Sequence, residues 1–180
     1  MLIGLATPGT AQSSVHDFLA AYLKQDRGVS HLDGAVRLSA FLTPRLVGVL
    51  QDAIACGRDW ARQQPADSTD KPPFVDCCIF ASSPEGIPTD FKVGKLAHMP
   101  DGRIKVLVRY IYKDPPGTYL DPSVPLEEWS WTDAVIVQKV GQQYLVDDFL
   151  FLRGAPGEAP LLLSKSFGDC RGPKWIGDSR

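Results

Sequence analysis

Absences narrow this sequence first. None of its four cysteines forms a C-x-x-C pair, so zinc and thioredoxin-type signatures are missing. Its three histidines, His16, His31 and His98, share no metal-ligand spacing, and neither a metal site nor a cofactor is expected. The hydrolase frame G-x-S-x-G does not occur, and SSPEG at residues 82–86 reads as a turn. No Walker-type or dinucleotide-binding glycine loop is present. No apolar run approaches the ~20 residues that cross a bilayer as a helix. A formal net charge of −2 gives no bulk attraction to phosphate backbones, so nucleic acid is not an expected partner.

What is present is the composition of a folded domain. Apolar residues make up 44% of the 180 and charged residues 22%, a balance that separates a globular chain from a disordered one. Residues 1–12, MLIGLATPGTAQ, carry no charge, and the small residues before Gln12 resemble a signal-peptidase site. A basic start and a longer apolar centre are missing, so the segment reads either as the remnant of a leader or as a loose terminus. Cys77 and Cys78 are adjacent and point to opposite sides of an extended segment, which disfavours a bond between them. In an oxidising compartment one of them would bridge to Cys56 or Cys170, and in a reducing one all four would act as small hydrophobes.

The chain order is helical first. Ser14 followed by Asp17 forms a short capping box, and Val15, Phe18, Leu19, Tyr22 and Leu23 recur on one stripe. Gly28 is placed to end that helix. Residues 32–42 form a weaker helical stretch. Thr43-Pro44 then starts a helix expected to run to about Gln63, with Leu46, Val47, Leu50, Ile54 and Ala61 on one side, Arg45 mostly elsewhere and Trp60 anchoring the last turn. Residues 64–73 read as a loop, and residues 74–81 as a short apolar run.

The period then changes to two. Residues 90–99 alternate, Pro100-Asp101-Gly102 turns the chain, and Ile104, Val106, Val108, Tyr110 and Tyr112 face one way on the next strand. A proline-rich connection follows at 113–128, of the long irregular kind that in compact domains tends to be functional. The closing hairpin, WSWTDAVIVQKVGQQYLVDDFLFL at 129–152, turns at Gly141. Helices followed by antiparallel strands make an α+β domain at 13–153: two or three N-terminal helices packed on a curved antiparallel sheet, cone-shaped, with a C-terminal extension at 154–180.

The hairpin also carries the candidate site residues Asp133, Asp147 and Asp148. With Val140-Gly141 as the turn, Asp133 sits opposite Asp148, and two facing carboxylates repel unless a cation or proton lies between them. Arg109, mid-strand between Leu107 and Ile111, is the expected partner, since a buried guanidinium needs an acceptor. One reading is a structural Arg–Asp network that sets strand register. Another is ligand recognition, with Arg109 gripping an anion and Tyr110 or Trp131 packing on an apolar body. Trp129 and Trp131, beside the proline-rich loop, also suit a partner-binding patch.

Three stretches carry a family resemblance: SSVHDFLAAYLKQDRG, IFASSPEGIPTDFKVGKL and WTDAVIVQKVGQQYLVDDFLF. Together with the order of elements they resemble the nuclear transport factor 2-like (cystatin-like α+β) superfamily, and within it a bacterial secreted or lipoprotein family of unknown function. The resemblance implies a periplasmic or secreted protein, although no lipid-attachment cysteine follows residues 1–12. It brings no catalytic residues with it. Ketosteroid-isomerase-like members of this fold place an acid and a tyrosine in an apolar cone. Here Tyr110, Tyr112 or Tyr144 would be the tyrosine. The expected function is a non-enzymatic envelope protein that binds a partner protein, or a small apolar or anionic ligand, at the open end of the cone, an immunity-type protein being one version. The alternative is a small lyase or isomerase using that acid and tyrosine. A homodimer through the exposed sheet face is compatible with either.

Overall fold

The structure, a computed structural model, describes residues 14–26, 38–65, 88–119, 121, 123–152 and 159–166. Residues 1–12, Gly28, His31, the apolar run at 74–81, Cys77, Cys78, Cys170 and most of the extension at 154–180 lie outside them.

Helix α1 spans Val15–Asp26. The Ser14 hydroxyl accepts from the Asp17 backbone N–H at 3.2 Å and donates to its carboxylate at 2.8 Å, closing the expected cap. Val15, Phe18, Leu19, Tyr22 and Leu23 are all buried, as their spacing predicts. A 3-10 turn at Ser39–Phe41 is the described part of the weaker stretch before Thr43. Helix α2 covers Pro44–Gln63, with Pro44 in its first turn and Thr43 as its cap. Leu46, Leu50, Ala53, Cys56 and Gly57 are its buried residues. Trp60 does not anchor the last turn in the core; it is half-buried and outside the core cluster.

Among the described residues five strands follow in one antiparallel sheet whose spatial order is the chain order. They are β1 (Asp90–His98), β2 (Ile104–Lys113), β3 (Glu128–Val140), β4 (Gln143–Phe151) and β5 (Leu161–Leu162), and a short helix α3 (Leu163–Ser166) ends the described chain. The described fold is therefore α+β, an open antiparallel sheet with helices packed on it. Each tight connection uses the glycine that sequence singles out: Gly102 has φ 82° and Gly141 φ 61°. The β3–β4 connection is Gly141-Gln142, one residue later than expected, because Val140 pairs with Gln143.

The core lies between the helices and one face of the sheet. Ile104, Val106, Val108 and Tyr110 of β2 face Trp131, Val135 and Val137 of β3, and all pack on the α1 and α2 stripes. Strand β1 departs from simple alternation. Val93 pairs with Val108 but Leu96 pairs with Val106, so an extra residue bulges at 94–95. A Cβ on Gly94 would approach the Leu107 carbonyl oxygen to 3.2 Å, and the Gly94 carbonyl lies 3.1 Å from His16 Nε2 on α1. The small residue at the bulge thus permits the close approach of β2 behind it.

Candidate functional site

A second bulge shapes the acidic hairpin. Val137 pairs with Val146, but Ile136 pairs with Asp148, leaving Asp147 as the inserted residue. Its effect is visible in the core. Val146 and Phe149 are three residues apart, yet both face the helices. Strict alternation would put them on opposite faces. The bulge shifts the phase, so Tyr144 and Val146 before it, and Phe149 and Phe151 after it, all pack on one core. It also frees two consecutive carboxylates from pointing to opposite faces, and one guanidinium, that of Arg45, reaches both.

Asp133 consequently does not sit opposite Asp148. Asp148 faces Ile136, and Asp133 lies three positions further along β3, where Val108 is its β2 partner. Its carboxylate accepts the Leu152 backbone N–H at 3.0 Å.

The cations that accompany the paired acids are Arg45 and Arg103, not Arg109. Thr43 and Arg45 sit at the start of α2, which is stitched to the edge of β4 by the Thr43 N–H to Val146 carbonyl bond at 2.8 Å. On Asp147, Oδ1 accepts from the Thr43 hydroxyl at 2.8 Å and Arg45 Nε at 3.0 Å. Its Oδ2 accepts from Arg45 Nη2 at 3.0 Å and Arg103 Nη1 at 2.9 Å. Arg45 Nη2 also donates to the Asp147 backbone carbonyl. On Asp148, Oδ1 accepts from the Phe149 N–H at 2.9 Å and the Ser164 N–H at 3.1 Å. Its Oδ2 accepts from the Ser164 hydroxyl at 2.5 Å and Arg45 Nη2 at 3.2 Å. Each carboxylate oxygen thus has two donor atoms within hydrogen-bond distance, the two Nη2 hydrogens of Arg45 being shared among three acceptors. Arg103 is held in turn by Asp101, with Nη2 2.6 Å from Oδ2.

The electrostatics follow this geometry. Burial pushes the Asp147 carboxyl up, but hydrogen bonds from Arg45, Arg103 and Thr43 outweigh it and hold it below the usual carboxylate range. Arg45 is raised, first by its hydrogen bond to Asp147, and Arg103 is raised first by Asp101 and then by Asp147. The cluster is a closed network around an ionised Asp147.

Arg109 lies elsewhere. It is exposed on the sheet face away from the helices, where Nε and Nη2 donate to the Ser130 hydroxyl at 3.1 and 2.8 Å. The expectation of a buried Arg109 failed because its flanking Leu107 and Ile111 belong to that outer face, which is only partly covered.

The aromatic candidates do come together. Tyr110 stacks on Trp131 with ring centroids 5.6 Å apart, and Tyr112 on Trp129 at 4.0 Å, both cross-strand pairs on the helix-facing side. Trp131 is not an exposed patch residue; only 7% of it is accessible. Trp129 is half-buried, and its indole N–H is shielded from solvent with no hydrogen-bond partner among the described residues. Beside this pair the loop leaves and returns through a clamp. Asp114 Oδ1 accepts the Tyr112 hydroxyl at 3.0 Å, Oδ2 accepts the Glu127 N–H at 2.9 Å, and the Asp114 N–H donates to the Glu127 carbonyl at 2.9 Å. Beyond the clamp, Val124 and Leu126 are 40% and 50% exposed.

Compared with known proteins, the chain matches no family model, no curated protein and no solved structure. The site must therefore be read from its own chemistry. Sequence reasoning missed Arg45, Arg103, Thr43 and Ser164. One signal was available: two acids between Val146 and Phe149 break the alternation of an otherwise regular strand, which marks a bulge. Among the described residues no group of three His, Cys, Asp or Glu side chains is arranged to hold a metal, and no helix is long and apolar enough to cross a membrane.

Proposed function

We propose that this chain is a non-catalytic binding protein of the bacterial envelope with a nuclear transport factor 2-like fold. Its partner protein or small apolar ligand docks at the end of the sheet that carries Tyr112, Trp129 and the 114–127 loop. The observation that carries this reading is the saturation of Asp147 and Asp148. An acid that moves a proton on a substrate needs a lone pair free to meet it. Both carboxylates already spend theirs on protein donors, and Asp147 is held ionised by two arginines.

The aromatic end has the opposite character. It offers a stacked ring pair and two exposed aliphatic side chains on a loop with a pinned neck. Apolar surface with a few oriented polar groups is what binding sites present. An exported protein fits the disulfide at Cys56, whose partner cysteine lies outside the described residues.

The test is affinity capture from a cell-envelope extract with the full chain and with Trp129→Ala and Leu126→Ser variants. A discrete partner retained by the parent chain and lost by both variants is the expected result. A partner held equally by all three would place recognition elsewhere. Turnover that survives in the parent and vanishes in Asp133→Asn would replace binding by catalysis.

A further inference from the structure

The outer face of the sheet holds an arrangement that binding at the aromatic end does not use. Lys92 of β1 pairs directly with Arg109 of β2, and Arg109 pairs directly with Thr132 of β3. Directly paired residues project to the same side, so these three side chains form one row across three strands. All three are exposed, as is Ser130, two residues before Thr132 on the same face.

Two cations directly opposite each other in a sheet destabilise it. Nearby positions avoid this: Lys113, on the same face of β2, is opposite Glu128 and bonds it at 2.9 Å. Lys92 and Arg109 form no ion pair with any carboxylate of the described residues, and Arg109 donates to Ser130 alone. The nearest acid on this face of β1 is Asp90, whose Oδ1 accepts the Phe91 N–H at 2.9 Å. Lys105, two positions before Leu107 on β2, adds a further cation to the face.

The Ser130 hydroxyl fixes one side of the guanidinium through Nε and Nη2. That leaves Nη1 and the second Nη2 hydrogen as donors. With the Lys92 ammonium and the Ser130 and Thr132 hydroxyls, the row presents donors from three strands. Arginine, lysine and hydroxyls together are the donor set that recognises a tetrahedral oxyanion.

We infer that Lys92, Arg109, Ser130 and Thr132 form an oxyanion-binding site on the outer face of the sheet, whose ligand is a small phosphate-bearing molecule. The bound phosphate neutralises the facing cations and removes their repulsion. This site lies on the face opposite the aromatic pair, and its existence does not depend on the binding proposed there.

The experiment titrates the full chain with inorganic phosphate against sodium chloride of equal ionic strength, following backbone amide shifts of β1–β3 and the thermal midpoint. Phosphate should shift amides around 92, 109, 130 and 132 and raise the midpoint, where chloride does not. Lys92→Gln and Arg109→Gln should each weaken phosphate binding by about tenfold or more. Without phosphate, Lys92→Gln should be at least as stable as the parent, because it removes a like-charge pair. A parallel arm uses vesicles of phosphatidylglycerol in phosphatidylcholine. Co-flotation lost in both variants identifies a lipid headgroup as the source of the phosphate; phosphate binding without flotation identifies a soluble phosphate ester. Absence of any phosphate-specific shift, or shifts unchanged in both variants, overturns the site.

Discussion

Arg45 and Asp147 meet side by side: Nε on Oδ1 and Nη2 on Oδ2, both at 3.0 Å, with Nη2 also on the Asp147 carbonyl. This fork needs two local irregularities at once. Asp147 must be the extra residue of the β4 bulge, and Arg45 must sit in the first turn of α2. That turn also sets the positive dipole end of the helix beside the carboxylate, through the Thr43 cap that bonds it. The cluster therefore joins the edge of β4, the start of α2, the β1–β2 turn through Arg103, and α3 through Ser164.

Removing the Asp147 charge leaves Arg45 and Arg103 facing a neutral amide in a buried place. Asp147→Asn should lose about 3 kcal/mol of stability, the range for breaking one side of a buried ion pair. Arg45 is half exposed, which screens its share and argues against a larger loss. Urea denaturation measures this, and a loss under about 1 kcal/mol would make the cluster an ordinary surface network.

Acid should act through the same group. The folded-state carboxyl of Asp147 titrates below its unfolded value of about 3.9. Its contribution is therefore fully present above that value and is lost as pH falls through the folded value, because the unfolded chain takes up the proton first. Denaturation midpoints should hold steady near neutrality and fall below about pH 4. Asp147→Asn should show a shallower acid slope than the parent; identical slopes would assign acid sensitivity to other carboxylates.

Thr43 has two tasks. Its hydroxyl accepts the Leu46 N–H at 3.2 Å as the α2 cap and donates to Asp147 at 2.8 Å. Thr43→Ala removes both and should cost about 2–3 kcal/mol, a cap plus a hydrogen bond to a charged group. Thr43→Ser keeps the hydroxyl and should recover most of it. Equal losses in the two variants would mean that the methyl group, not the hydroxyl, matters at this buried position.

These residues mark where the sequence could be read and where it could not. The start of α2 was legible, since Thr43-Pro44 is a local start signal, and the helix does end at Gln63, although its buried stripe stops at Gly57 and Ala61 is exposed. The strands were legible because alternation is local too. The position of the bulge at Asp147 was not, because the acid pair between Val146 and Phe149 flags an interruption without saying which residue is inserted or that everything beyond it changes face. Nor were the cations: Arg45 lies 102 residues from Asp147 and Arg103 lies 44 away, so only the folded chain brings them together. Arg109, with apolar neighbours on both sides, had the stronger local claim and turned out to serve the outer face.

Cys56 is buried in α2 and disulfide-bonded, so reduction should loosen the packing of that helix. A reductant should lower the stability of the parent by about 2–4 kcal/mol, the usual range for a native bridge. The Cys56→Ala variant should start lower and lose little more on reduction. If the parent is equally stable with and without reductant, the bridge contributes nothing to the fold.

The Tyr112–Trp129 stack closes the sheet beside the loop clamp. Tyr112 also donates to Asp114, so removing it weakens both the ring pair and the neck. The ring contact alone is isolated by a double-mutant cycle with Tyr112→Phe kept as the control for the hydroxyl. Between Tyr112→Leu and Trp129→Leu the coupling should be about 1 kcal/mol, as for other stacked pairs. Tyr112→Phe should leave that coupling in place while loosening the loop, read as faster amide exchange at Glu127, whose N–H is held by Asp114. Coupling near zero would mean that the two rings merely fill space. Unchanged exchange at Glu127 would mean that Asp114 holds the neck without help from the tyrosine.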